Sequence, residues 1–397
     1  MDQDVVIIGA GPAGLSFAAA LAATGLRILI VDRLDRAVLK APPVDGRDIA
    51  LTHYSTSILK RLGIWQRFPK EEISRIREAR VMDGDSPHFL KFDHRGVSED
   101  ALGYLVPNHH IRRTAFDTIA TCGNVKLRTG TAPTRVAADT KSASIEMPDG
   151  EQIRCRLLVA ADSRFSTTRR QMGISADMHD FGRVVIVCRM QAERSHEGIA
   201  WECFRYGDTL ALLPLQGNDV SVVITVPASH AEGLVDMPPN AFNRKIERNS
   251  HGRLGAMRLI GERHCYPLVA VHADYFVGTR FALIGDAAVG MHPVTAHGFN
   301  LGLRGADSLA REIRIALGRG QDIGGSALLS RYQRRHRHMT RPLYHGTNAI
   351  VQLFTNDRPL PRIVRKVVLR LSDRISPIKQ LIMKRLTETA QVESHRH

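Results

Sequence analysis

Cysteine is sparse in this chain. The five of them, at 122, 155, 188, 203 and 265 of 397 residues, lie far apart and form no CxxC pair. Neither a cysteine zinc site nor a disulfide scaffold is therefore indicated, and a reduced compartment is expected. No HExxH, metal triad or G-x-S-x-G is present, so no metal is expected and no side chain announces itself as a nucleophile. No apolar run is long enough to span a bilayer. The chain opens almost directly on a strand with no cationic leader, and no secretory signal is expected. Internal repeats and low-complexity tracts are missing. The glycine-rich GRGQDIGG at 318–325 falls between two helical stretches, is no second nucleotide fingerprint, and leaves the chain without a separate NAD domain. Acid is the scarcer charge, with 40 Asp and Glu against 55 Lys and Arg, for a net +15. That excess speaks of association and not of fold. With no finger, recognition helix or RNA-binding sheet motif, nucleic acid is not the expected partner.

The opening DVVIIGAGPAGLSFAAALAATGLRILIVDR is the most specific stretch. Residues 4–8 read as a buried strand, 13–24 as an alanine-rich helix closed by Gly25, and 27–31 as the next strand. Gly9, Gly11 and Gly14 give GxGxxG. The first permits a tight turn, the second lets backbone approach a pyrophosphate, and the third lets the helix pack closely on the sheet. The helix N-terminus then faces the phosphates. Asp32 ends the second strand, where an acid can accept from a ribose hydroxyl. Dinucleotide binding follows, without a choice between FAD and NAD.

Arg47 precedes IALTHYSTSILKRLGIW, read as one helix with Ile49, Ile58, Leu59 and Leu62 inward. Such an arginine reaches phosphate or a flavin edge, or is simply solvated, and spacing leaves both open. In 104–121 a basic helix carries Ile111, Ala115 and Ile119 on one stripe, with Arg112 and Arg113 at its start. Alternating strands follow to LLVAAD, with a PDG turn at 148–150. Asp162 and Asp286 each end a buried strand, the edge where α/β proteins bind ligands. Residues 182–230 read as consecutive antiparallel strands of a second domain, 240–257 as a helix. FALIGDA then returns to the first domain, so the two are interleaved around a cleft. Trp201, Phe204 and Tyr206 either line that cleft or fill the core.

These elements together resemble the class A FAD-dependent aromatic hydroxylases, closest to the ubiquinone-biosynthesis hydroxylases, over roughly residues 4 to 355. The resemblance rests on three motifs: GxGxxG with Asp32, LLVAADSRFS with Asp162, and GDAAVGMHPVTAHGFNLGL. The wording of the last two is similar to the demethoxyubiquinol hydroxylase branch. Ser163 stands where the family has glycine, Ala296 and His297 where it has a glycine and a glutamine, and Asn108-His109 where it has NR. The resemblance implies FAD held by Gly9, Gly11, Gly14, Asp32, Arg47, Arg112, Asp162, Asp286, Pro293, Gly298 and Asn300. It places Asp286 on the ribityl chain, and Pro293, Gly298 and Asn300 beside the isoalloxazine. The Asp162 segment is linked to NADPH as well. His297, beside Gly298, is the candidate catalytic group, to move protons or position substrate, or else a loop histidine capping a carbonyl.

The implied fold is α/β: a Rossmann-like FAD-binding domain interleaved with an antiparallel-sheet substrate domain, plus C-terminal helices. The FAD-binding parts are 1–76, 104–180 and 274–340, the substrate parts 77–103 and 181–273, and 341–397 a basic helical region. The implied activity is an NAD(P)H- and FAD-dependent monooxygenase acting through a flavin C4a-hydroperoxide. The substrate is a phenol or a polyprenylated quinol, and O2 is the co-substrate. The alternatives are a flavin oxidoreductase without oxygen transfer or a non-catalytic component of a membrane-associated complex. Residues 358–385 hold nine Lys or Arg with Asp373 the only acid, and apolar residues at helical spacing. They pack on the body, or meet an anionic membrane or protein partner. The expected location is cytoplasmic, peripheral on the inner membrane face.

Overall fold

The computed structural model describes residues 1–84, 86, 89–96, 100–204, 208–291 and 297–355. Its first sheet is built around strand β1, Gln3–Ile8, whose Val5, Val6 and Ile7 are fully buried. Strand β2, Ile28–Val31, lies parallel on one side of β1, followed by Val125–Arg128. On the other side lie Gln152–Ala160 and then Phe281–Leu283, again parallel. Strands buried on both faces read as unbroken apolar runs, which is why VVII, ILIV and LLVA carry no alternation. The chain leaves β1 for one side and later strands fill the other. The carboxyl ends of β1 and Gln152–Ala160 therefore flank a topological switch point.

Helix α1, Pro12–Leu21, continues through a short 3-10 turn to Gly25, which caps it at φ +73°. It packs against the long helix His297–Gly318. Ile49 belongs to no helix. It lies in the strand Asp48–Leu51, opposite Val106 of Gly103–Pro107. The helix starts only at His53, because the Thr52 hydroxyl accepts from the Ser55 amide and caps it there. The basic helix Asn108–Ala120 begins earlier than expected, which puts Arg112 and Arg113 in its second turn. The polar stretch after 239 is helical over Pro239–Asn249 and turns from there into a strand at Met257.

The second sheet has eight strands. In order they are Val289–Gly290, Met257–Ala273, Ala176–Ala192, Asp219–Pro227, Thr209–Pro214, Ile199–Phe204, Glu78–Asp83 and Phe89–Asp93. All neighbours are antiparallel except Ile199–Phe204 and Glu78–Asp83, which run parallel. A parallel pair needs a long crossover, and here the intervening chain returns to the first sheet before coming back. Pro239–Asn249 covers one face with Phe242 and Ile246. Trp201 belongs to that buried cluster, held between the guanidinium groups of Arg80 and Arg253 at 4.7 and 4.9 Å. The other face meets the nucleotide-type domain. There the Tyr266 hydroxyl donates to the Asp45 carbonyl at 2.7 Å and Arg189 pairs with Asp48 at 2.7 Å.

Candidate functional site

The glycine turn is shaped by its neighbours. Gly9 has φ +110°, a conformation side chains disfavour, and a Cβ there would run into the Ala161 carbonyl. A Cβ on Gly14 would strike the Gly9 carbonyl, so α1 can reach the sheet only through glycine. Gly11 differs: nothing lies within 4 Å of the place its Cβ would take. It is also the N-cap of α1, with no side chain capping the helix and no acid in the first turn. Open space in front of free helix N–H groups fits a pyrophosphate. Asp32 reaches the same turn, accepting from the Ala10 amide at 2.5 Å and from Leu34 at 2.7 Å.

The two strand-end acids flank this turn. Asp162 accepts from the Ser166 hydroxyl at 2.5 Å and from the Thr168 amide and hydroxyl at 3.2 and 2.9 Å, so it holds the turn into the helix Thr167–Gln171. Asp286 pairs with Arg164 at 3.1 Å, about one-third exposed. Arg164 also donates to the Val269 carbonyl at 3.0 Å, in the second sheet. Buried Arg169 donates to the carbonyls of Arg164 and Ala287 at 3.2 and 3.0 Å. Burial depresses the Arg169 pKa, and the Asp162 charge opposes that. Arg164 and Arg169 thus tie the Asp162 turn to the Asp286 turn. Neither was singled out from sequence. Arg164 had a signal, its place inside DSRFS, whereas Arg169 in TTRRQ reads as a solvated arginine.

Arg47 is turned to Asp45, at 2.6 Å, and stacks 5.1 Å from the Tyr266 ring. Burial pushes the Asp45 carboxyl up, but Arg47, helped by Asn108, outweighs it and holds the pKa below the ordinary carboxylate value. Asn108 donates to Asp45 at 2.6 Å, which brings the start of the Arg112 helix to the Arg47 loop. Arg112 itself is half-buried. The Asn300 side chain donates to the Ala50 carbonyl at 2.8 Å and accepts from the Thr52 amide at 3.1 Å. That amide group fastens the long helix to the strand–helix corner at 50–52. His297 is buried at the first position of the same helix, with Gly298 behind it close to Met291. Pro293, with His292 and Ala296, lies outside the described residues, as do Tyr206 and 358–385.

The Gly9–Gly14 turn, Asp32, Asp162 and Asp286 therefore gather at one edge of the first sheet, beneath the second. Residues 2–345 match the model of a family described as FAD binding domain. The ubiquinone hydroxylase UbiM of Neisseria meningitidis is 47% identical, covering 98% of this chain and 85% of that protein. The ubiquinone hydroxylase UbiL of Rhodospirillum rubrum is 34% identical, over 98% and 90%. Among solved structures, p-nitrophenol 4-monooxygenase PnpA from Pseudomonas putida superposes with a TM-score of 0.78 at 18% identity, covering 97% of this chain and 98% of that one, a likeness of fold. The chain belongs to the FAD binding domain family and, within it, to the ubiquinone hydroxylases that these two relatives represent.

Proposed function

We propose that this protein is an NAD(P)H-dependent FAD monooxygenase that hydroxylates the ring of a phenol or polyprenylated quinol in ubiquinone biosynthesis, with O2 as co-substrate. The observation that carries the reading is the junction of Gly9, Asp162 and Asp286 at the switch point under a second sheet, in a chain 47% identical to a ubiquinone hydroxylase. Both relatives are named for ubiquinone, with no ring position in the name, so the reading commits to the ring and not to one carbon.

In this reading the α1 N-terminus takes the pyrophosphate and Asp32 a ribose hydroxyl. Asp286 receives the ribityl chain and exchanges part of its Arg164 contact for it. Arg47 and Arg112 approach the flavin from the loop and helix that Asn108 brings together. Gly298 and Pro293 shape the ring side, where the first N–H groups of the His297–Gly318 helix favour negative charge. Bound FAD supplies the electron and oxygen-transfer chemistry that the sequence resemblance implies. The protein orients the substrate, and the second sheet keeps water away from it. His297 holds or moves a proton beside the ring. The stretches 1–76, 104–180 and 274–340 serve the cofactor and 77–103 and 181–273 the substrate. The basic 341–397 region brings the protein to the membrane that carries a polyprenyl quinol.

Two measurements test this. Extraction of the purified protein should yield FAD, and FMN alone or no flavin would reject the cofactor reading. Mass spectrometry of quinones from a strain lacking the gene should show an intermediate one ring oxygen short. An unchanged quinone profile, together with NAD(P)H oxidation that yields no hydroxylated product, would leave a flavin oxidoreductase without oxygen transfer.

A further inference from the structure

The two faces of the second sheet carry different chemistry at the strand Ile199–Phe204. Trp201 and Cys203 point into the core under Pro239–Asn249. Glu202 points the other way, and the register fixes its neighbours. It stands opposite Val81 on one side and Ala211 on the other. Val81 is opposite Leu90, Ala211 opposite Val223, and Val223 opposite Val187. Residues directly opposite share a face. This face is turned to the nucleotide-binding domain, because a Cβ on Gly46 would lie 3.1 Å from a Val187 methyl and Tyr266 bonds the Asp45 carbonyl.

Two apolar patches occupy that face. One contains Leu90 and Val81, the other Val187 and Val223. Glu202 and Ala211 stand between them and belong to neither. Glu202 keeps some accessible surface while Trp201, Cys203 and Phe204 are buried, as expected of a side chain lining a cleft. Its carboxyl has no hydrogen-bond or ion-pair partner among the described residues. Burial alone lifts its pKa to about 8. Asp83, Arg189 and His264 share the face further along the register, and none of them contributes to that shift. A half-buried carboxyl without a partner is costly to ionise, and its place between two apolar patches of the sheet suits a flat ring carrying one donor.

We propose that Glu202 is a catalytic residue that accepts a hydrogen bond from a ring hydroxyl of the substrate and takes its proton as the ring is attacked. This rests on the hydroxylase reading above. In the step, the hydroxyl O–H bond breaks, its proton passes to the carboxylate, and its electron pair moves into the ring. The ring carbon ortho or para to it forms the new bond to one oxygen atom derived from O2 as the O–O bond breaks. The other oxygen atom leaves as water, with NAD(P)H as the two-electron donor and solvent supplying the balancing proton. The C–H proton then leaves and the ring regains aromaticity, while Glu202 returns its proton to the phenolate. A base placed in this way contributes on the order of 10²–10⁴ in rate.

The test uses FAD-loaded protein and a 2-alkylphenol as probe, with binding read from the flavin spectrum and product by mass spectrometry. Glu202→Leu should weaken binding about tenfold, a loss of about 1.4 kcal/mol. Glu202→Gln keeps an acceptor, so it should bind within threefold of the parent and hydroxylate roughly 10²-fold more slowly. The parent rate should rise through about pH 8 and the Gln variant should lack that rise. Thermal unfolding checks that both variants fold, and Ala211→Leu, which fills the floor and leaves the carboxyl, should also block the probe. Binding by Glu202→Leu within twofold of the parent overturns the proposal, as does an unaltered pH profile in Glu202→Gln. A parent protein that binds the probe and never hydroxylates a phenol or quinol rejects the hydroxylase reading instead, and the binding results still judge Glu202.

Discussion

Ser163 follows Asp162 with φ +81°, a backbone conformation that serine tolerates poorly. The glycine that the family has at this position is the residue without that strain. Ser163→Gly should therefore stabilise the fold by up to about 1 kcal/mol, the roughly 1–2 kcal/mol of left-handed strain exceeding the roughly 0.4–1 kcal/mol cost of a looser unfolded chain. Urea unfolding measures it, and a loss of stability would mean that the hydroxyl holds the turn. At Asp286 the expected change is in affinity. Asp286→Ala should weaken FAD by roughly 1.5–3 kcal/mol through a lost charge-assisted bond, read by equilibrium dialysis against free FAD. FAD retention equal to the parent's would remove Asp286 from the ribityl site. His297→Ala should slow hydroxylation more than flavin reduction, because the residue starts the helix that the proposed reading sets beside the flavin ring. Stopped-flow spectra separate the two half-reactions, and equal effects on both would return His297 to a structural part. Gly14 and Asp32 were legible in the sequence because what shapes them, the Gly9 carbonyl and the Ala10 and Leu34 amides, lies within the same opening unit. Arg164 and Arg169 were not, since their partners Asp286 and Ala287 lie more than a hundred residues away.

The helix Ser326–Thr355 brings a histidine cluster against the first domain. His336 is buried, stacked on Tyr332 at 5.7 Å and facing Phe276 at 5.3 Å, with Gly305 leaving room for its ring. Burial, then the charge of Arg304 and of His272, pushes its pKa down to about 3. His272 falls to about 4 through burial, then Arg337, with smaller effects of His345 and Arg341. A histidine whose folded pKa is lowered binds fewer protons folded than unfolded. Stability is then retained above the ordinary pKa of about 6.5 and lost as pH falls toward 4 and 3. The thermal midpoint should drop between pH 7 and pH 5, and His336→Phe, which keeps the stack, should shrink that drop. An identical drop in the variant would move the acid sensitivity elsewhere. The sequence showed only a helical stretch after GRGQDIGG and a basic region from 341, since what buries His336 is Gly305 and Phe276 on other elements. In the same way Ile49 was misread because Thr52, a cap, stands inside an apparently helical pattern. The parallel pair in the second sheet was invisible, because strand direction depends on the crossover and not on the residues of either strand.

At the scale of the whole molecule the net charge of +15 is the feature most readily tested. No described helix is long and apolar enough to cross a membrane. Each Lys or Arg held at an anionic surface contributes about 1 kcal/mol, so a few of the nine in 358–385 suffice for reversible attachment. Co-sedimentation with anionic vesicles should be strong at low salt, weak at raised salt, and reduced by truncation at Ser376. Full binding after truncation would shift the contact to the body of the protein. The interleaving was legible from the return of FALIGDA to the first domain, whereas the register that carries Ala176–Ala192 and Met257–Ala273 side by side was not. That register has a consequence for synthesis on the ribosome. β1 is made first, yet its neighbour Gln152–Ala160 emerges some 150 residues later and Phe281–Leu283 later still. The strand Glu78–Asp83 likewise waits for Ile199–Phe204. Long-range pairing of this kind is slow and leaves apolar strand edges uncovered while it is incomplete. A nascent chain stopped at the end of the first nucleotide-binding unit should hold no flavin, and the growing polypeptide should be a client of chaperones until its last third has emerged.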